Sequence, residues 1–193
     1  MAPMKQHVRI LGIDDSEFRF GDACVPVVGV LARVPSFIEA VLRTDIAVDG
    51  RDSTEKLAAM LYCSRYRDQT RLILIDGVTL GGFNVVDIET LSGDTGIPVA
   101  TITRKKPDLD GMKAALQKHF DDWEERYSII SRGRLEPISI GSHSLYSRFV
   151  GIKKEELAVI LKNATVAGAM PEAVRVAHLI ATALARGESR GRV

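Results

Sequence analysis

Val8-Arg-Ile-Leu-Gly-Ile-Asp14-Asp15 and Leu72-Ile-Leu-Ile-Asp76-Gly77 are two short apolar runs, each halted by a carboxylate. Val8–Ile13 reads as a strand. Leu72–Ile75, apolar without alternation, reads as a strand buried on both faces. In an open α/β sheet, ligands sit beyond the carboxyl ends of the strands, so an Asp at that position is informative. If the two strands are parallel neighbours, about 4.8 Å apart, Asp14 and Asp76 meet at one edge. Two such carboxylates repel unless a proton or a cation joins them. Mg2+ or Mn2+ answers that need, because hard cations take oxygen ligands and keep positions open for water and phosphate. The plain alternative is that Asp76-Gly77 and Asp14-Asp15-Ser16 are ordinary turns.

Outward from these runs, Val25–Leu31, cut by Pro26 and Gly29, reads as a second strand, and Thr44–Val48 as a weaker third. Leu57, Met60 and Leu61 give helical spacing to a helix from Ser53 to Tyr66. A short helix over Val85–Ser92 and a buried strand over Pro98–Thr103 follow. Leu109, Met112, Leu116, Phe120 and Trp123 recur as one amphipathic helix of about four turns. Strands at Pro137–Ile140 and Leu145–Val150 precede two closing helices, Lys153–Asn163 and Pro171–Arg186, the latter with Pro171 in its first turn. The order predicts an α/β mixed sheet. Its first strands pair as antiparallel hairpins, and its later strands join in parallel through flanking helices. Residues 1–187 read as a single domain and 188–193 as a frayed tail.

Lys+Arg number 26 and Asp+Glu 25, a net charge of +1, which excludes binding to nucleic acid by bulk charge alone. Charge is nonetheless segregated. Arg126, Arg132, Arg134, Arg148, Lys153 and Lys154 face only Glu136 in their stretch, Arg104–Lys106 is basic, and Asp14–Asp22 is acidic. The two cysteines, Cys24 and Cys63, have no partner spacing for zinc or a disulfide framework. No apolar run reaches the roughly 18 residues that span a bilayer. The expectation is a cytoplasmic protein with no membrane association.

Further candidates are less specific. Asp52 and Glu55 before the first helix either complete a three-carboxylate metal site or imitate a capping box. Gly81 and Gly82 either let backbone amides approach a phosphate or form a flexible turn. His178 lies with Val174, Ala177, Ala181 and Leu184 on the last helix, where a histidine is usually a core residue. Arg175, one turn away, allows both to face a polar pocket. Neither the dinucleotide fingerprint, the P-loop nor the nucleophile elbow is present.

These residues carry a family resemblance through most of the chain. It resembles domain-of-unknown-function family ninety-nine, which is largely archaeal and similar to endonuclease V within the ribonuclease H-like fold. Leu11-Gly-Ile-Asp14 with Ser16 resembles the first catalytic strand of endonuclease V, and Leu74-Ile-Asp76-Gly77 its Val-Asp-Gly strand. Glu55 stands 21 residues before Asp76, near the spacing of that enzyme's catalytic Glu. Ile97-Pro98-Val99 with Arg104-Lys105 resembles its Ile-Pro-Thr-Ile-Gly-Val-Ala-Lys strand, and Met170-Pro-Glu-Ala-Val-Arg175-Val-Ala-His178 resembles its Leu-Pro-Glu-Pro-Thr-Arg helix. Three departures bear on activity. The His-Pro-Arg piece after Val-Asp-Gly is replaced by Val78-Thr-Leu-Gly-Gly-Phe-Asn84. The Pro-Tyr-Ile-Pro wedge has no counterpart before Asp52, and the family Lys maps onto Arg104, a poor proton donor.

The resemblance implies a divalent-metal-dependent nuclease acting on DNA or RNA, with deaminated bases as the associated substrate class. Asp14 and Asp76 would hold metal with Asp52 or Glu55. Arg104, Lys105, Arg175 and the Gly81-Gly82 amides would meet phosphate, and His178 would orient water or move a proton. The rival expectation is a non-catalytic nucleic-acid or nucleotide-binding module on the same fold.

Overall fold

The computed structural model describes residues 8–19 and 21–189. The expected tail therefore lies outside the described residues beyond position 189. Seven strands form one mixed sheet in the order β3-β2-β1-β4-β7-β9-β8. Here β1 is Arg9–Asp15, β2 Cys24–Arg33, β3 Phe37–Ala47, β4 Leu72–Asp76, β7 Val99–Thr103, β8 Glu136–Ile140 and β9 His143–Val150. A small separate hairpin, β5 (Thr79–Leu80) with β6 (Asn84–Val85), follows β4. The antiparallel start is present, since β1 pairs with β2 and β2 with β3. Parallel pairing is confined to β1–β4 and β4–β7, while β9 joins β7 antiparallel and closes with β8 as a hairpin.

Alternation along the strands assigns the two faces. On β1 and β4, Leu11, Ile13, Ile73 and Ile75 pack toward the helices α1 (Ser53–Tyr62) and α2 (Ile88–Thr95). Ile10, Leu72 and Leu74 pack toward α5 (Lys154–Ala164) and α6 (Glu172–Arg186). By the same period, Asp14 and Asp76 project on the α6 side and Asp15 on the α1 side. Close seating of α6 has a cause in its small residues. Ala173, Ala177 and Ala181 are buried at successive turns. Opposite them Gly12 leaves no room for a side chain, because a Cβ there would lie 2.4 Å from the Ala173 carbonyl carbon.

Three expectations change. The helix predicted from Leu109 to Trp123 is two helices, α3 (Leu109–His119) and α4 (Trp123–Ser131). Phe120 is extended, with φ −135° and ψ 125°, so the chain turns there. Both arms still feed one cluster, in which Leu116, Phe120, Trp123 and Ile130 meet, and the apolar period runs through the turn unbroken. The helix expected at Val85 starts at Ile88, capped by Asp87, whose carboxylate accepts the Glu89 and Thr90 amides at 3.0 and 3.1 Å. The third strand is eleven residues long rather than five, and from Val41 to Ile46 its residues alternate between exposed and more buried at the sheet edge. No helix among the described residues is long and apolar enough to cross a membrane.

Candidate active site

The parallel register of β1 and β4 runs Ile10 to Leu72 through Ile13 to Ile75, so the next pair outward is Asp14 and Asp76. Both carboxylates stand at the strand ends on the α6 face. Asp14 is buried, 6% exposed, and is held from two directions. The Asp15 amide donates to its Oδ1 at 2.9 Å, and its Oδ2 meets His178 Nδ1 at 2.7 Å. Ser16 fastens the same strand end to α6 by donating to the Ala181 carbonyl at 2.8 Å.

The electrostatics match two acids forced together. Asp76 is pushed up to about 7, first by burial and then by the negative charge of Asp14, while His178 and Arg104 oppose the rise. Asp15, on the other face, is raised to about 6 by burial, although it accepts the Gly81 amide at 2.7 Å. His178 is raised above the ordinary histidine value, chiefly by its hydrogen bond to Asp14. Its side chain is 54% exposed, so the expectation of a core histidine fails in a particular way. The ring sits on the flank of the alanine stripe and reaches down to the buried acid. Leu184, placed on that stripe by spacing, is exposed.

A cleft of about 870 Å3 opens over this edge, lined by Asp76, Arg104, Arg175, His178 and Arg186. Arg175 is clamped by Glu172 through two hydrogen bonds of 2.8 and 2.5 Å, and Arg186 pairs with Glu17. Five of the residues singled out from sequence are thus gathered: Asp14, Asp76, Arg104, Arg175 and His178.

The others stand elsewhere. Lys105 is exposed and does not line the cleft. The Asp52 carboxylate neither caps α1 nor enters the cleft. It accepts the Ala47 amide at 3.1 Å and the Asn84 side-chain amide at 2.7 Å, a structural engagement that turns it toward the β3 end. Its expected capping partner Glu55 is exposed on α1. Asn84, buried and absent from the sequence reading, takes the cap by accepting the Ser53 amide at 3.0 Å. The Gly81-Gly82 turn is also committed. Gly81 donates to Asp15, and a Cβ at Gly82 would lie 2.3 Å from Asp49, whose carboxylate accepts the Phe83 amide. The Gly81 amide therefore serves the scaffold, and neither Gly81 nor Gly82 lines the cleft.

The donor set suits one hard cation in part. Asp14 and Asp76 offer two carboxylates, the number with which Mg2+ is commonly held while water and substrate phosphate complete the shell. Among the described residues no group of three or more His, Cys, Asp or Glu is arranged to hold a metal by itself.

Residues 6–185 match the family model described as endonuclease dU. The chain belongs to the endonuclease dU family. A UPF0215 protein of Methanosarcina mazei is 43% identical over 192 residues, covering 98% of this chain and 96% of that protein. Among solved structures, a protein of unknown function from Archaeoglobus fulgidus is similar at TM-score 0.82 and 37% identity, over 92% of this chain and 98% of that one. Endonuclease V of Ciona intestinalis, bound to DNA containing an inosine, is similar at TM-score 0.56 and 12% identity, over 89% and 83% of the two chains. That last likeness is one of fold, and with it the expected ribonuclease H-like architecture is in place for this endonuclease dU family member.

Proposed function

We propose that this endonuclease dU family member is a divalent-metal-dependent nuclease that hydrolyses a phosphodiester bond of DNA or RNA at the Asp14–Asp76 edge. Family and fold support a nuclease-type function. The observation that carries the reading is geometric: two acids end adjacent parallel strands beneath a cleft that also holds Arg104, Arg175 and His178. Asp14 and Asp76 would hold the cation, which when bound lowers the pKa of water and stabilises charge on the attacking and leaving oxygens. His178 fixes the Asp14 carboxylate through Nδ1, which leaves Nε2 as the atom able to accept or return a proton on the cleft side. Arg104 and Arg175 present guanidinium donors to phosphate oxygens.

Deaminated bases are the substrate class that the family description and the inosine-containing DNA of the Ciona enzyme support. The test is nicking of labelled DNA and RNA carrying deoxyuridine, inosine or neither, with Mg2+ or Mn2+ and with EDTA. Cleavage is expected only with metal and is expected to fall at least about a hundredfold in Asp14→Asn and Asp76→Asn. Oligonucleotide binding that survives EDTA and Asp76→Asn, without any cleavage by the wild type, would instead establish a non-catalytic binding module.

A further inference from the structure

The sheet face opposite the Asp14–Asp76 cleft carries an arginine that its surroundings do not account for. Arg148 lies on β9 in the cross-strand row Ile75, Thr101, Arg148. It is 5% exposed, and its Nε has no hydrogen-bond partner. No ion pair joins its guanidinium to any acid among the described residues. The other buried arginine shows what satisfaction looks like. Arg126 donates to Asp122 and to the Gly50 and Phe83 carbonyls at 2.7–2.8 Å. A buried guanidinium without such partners is unfavourable unless a counter-charge meets it.

Arg148 lines a cavity of about 80 Å3, together with Asp87, Glu89, Arg132 and Arg134. The two acids are already engaged. Arg132 binds Asp87 at 2.8 Å and Glu89 at 3.4 Å, and Asp87 also caps α2. Arg134 is exposed on the same rim, and its nearby acid Glu136 is bound by Lys154 at 2.6 Å. Three guanidinium groups thus surround a space with two carboxylates, an excess of one positive charge, and the two carboxylates are turned to Arg132 rather than to Arg148 or Arg134. The cavity has room for one small polyatomic anion and is too small for a nucleoside. The planar fork of arginine donors is the geometry that tetrahedral oxyanions satisfy.

We propose that Arg148 and Arg134 form a binding site for a phosphate-class oxyanion, on the opposite face of the sheet from the carboxylate pair. The anion is either free phosphate or a phosphate group of a bound strand. Burial keeps the Arg148 pKa below the ordinary arginine value, opposed by the Tyr127 phenol, and an entering anion would reverse that shift.

Calorimetric titration of the whole protein with inorganic phosphate in EDTA tests the site without metal at the other face. Arg148→Met is expected to lose at least tenfold in affinity, and Arg134→Ala several-fold. The second variant is at an exposed position, so its loss cannot be ascribed to misfolding. Phosphate binding that is undetectable in the wild type, or unchanged in both arginine variants, overturns the proposal. A second titration with a short oligonucleotide separates the sources. If phosphate competes with the strand and Arg148→Met weakens strand binding, the ligand is a strand phosphate. If only the response to phosphate is lost, the ligand is the free anion.

Discussion

His178 stands on the solvent side of its helix yet holds a buried acid, and that pairing makes it separable from the fold. Because the ring is half exposed, His178→Ala leaves no cavity in the core. Its removal frees the Asp14 carboxylate to rotate, so metal affinity and cleavage are expected to fall about 10–100-fold. Titration with Mn2+ beside a urea melt checks both halves: unaltered metal affinity, or a collapse in stability, contradicts the assignment. Asp76 makes a second prediction, one of sign. The folded side chain keeps its proton to about pH 7, against 3.8 ordinarily, so the folded state binds more protons between those values. Stability from this group therefore falls as pH rises through that window. His178 acts in the same direction: its raised pKa favours the folded state at low pH, and the gain is lost as pH climbs through the folded value. In EDTA, Asp76→Asn is expected to gain a few kcal/mol relative to wild type between about pH 4 and pH 7. A difference curve flat with pH would show that neither burial nor the charge of Asp14 raises Asp76 in the folded state.

Among the elements, α6 does most to assemble the cleft, and Gly12 sets how closely it sits. Gly12→Ala would drive a methyl group into the Ala173–Val174 backbone, so the helix must shift. The expected cost is about 1–3 kcal/mol, read by urea denaturation, with a parallel loss of metal binding as His178 moves off Asp14. Destabilisation with full metal affinity would mean that helix position and site geometry are independent. The N-terminus of α1 offers the contrasting case. Asp52→Asn is expected to lower stability while leaving metal binding intact, since its carboxylate serves Ala47 and Asn84. A loss of metal affinity there would return Asp52 to the ligand set.

The same elements show what could be read in advance. Asp14 and Asp76 were legible because a buried strand has a stark apolar signature and its first polar residue marks the edge. Asp52 stays open between cap and ligand in the sequence because both ask for the same residue type, and only the distant Asn84, which takes the cap, removes the first. The break at Phe120 was invisible for a related reason. Two helices that bury their residues in one cluster keep the spacing of a single helix. The Asp87 cap, by contrast, was a local signal in plain view, obscured by two valines counted as helical.

At the scale of the whole molecule, a net charge of +1 conceals charge segregated along the chain. Part of the basic stretch proves to be scaffold: Arg126 is buried against backbone carbonyls, and Lys154 is paired with Glu136. Binding to a strand should therefore rest on few phosphate contacts and show a shallow salt dependence. Arg104→Gln is expected to weaken oligonucleotide binding uniformly across sequences and to reduce the log–log salt slope by about 1. An unchanged slope would remove Arg104 from the phosphate contacts. The seating of the last helix on the first strand has a consequence in time as well. Asp14 and His178 are 164 residues apart, and Ser16 and Ala181 are 165 apart, so the cleft is closed by contacts between elements far apart in sequence. During synthesis, which delivers the N-terminal part first, the sheet edge exists before the helix that completes it. A ribosome-bound chain lacking α6 would carry both carboxylates but no His178 to hold Asp14, so the site is completed only once α6 has emerged and docked.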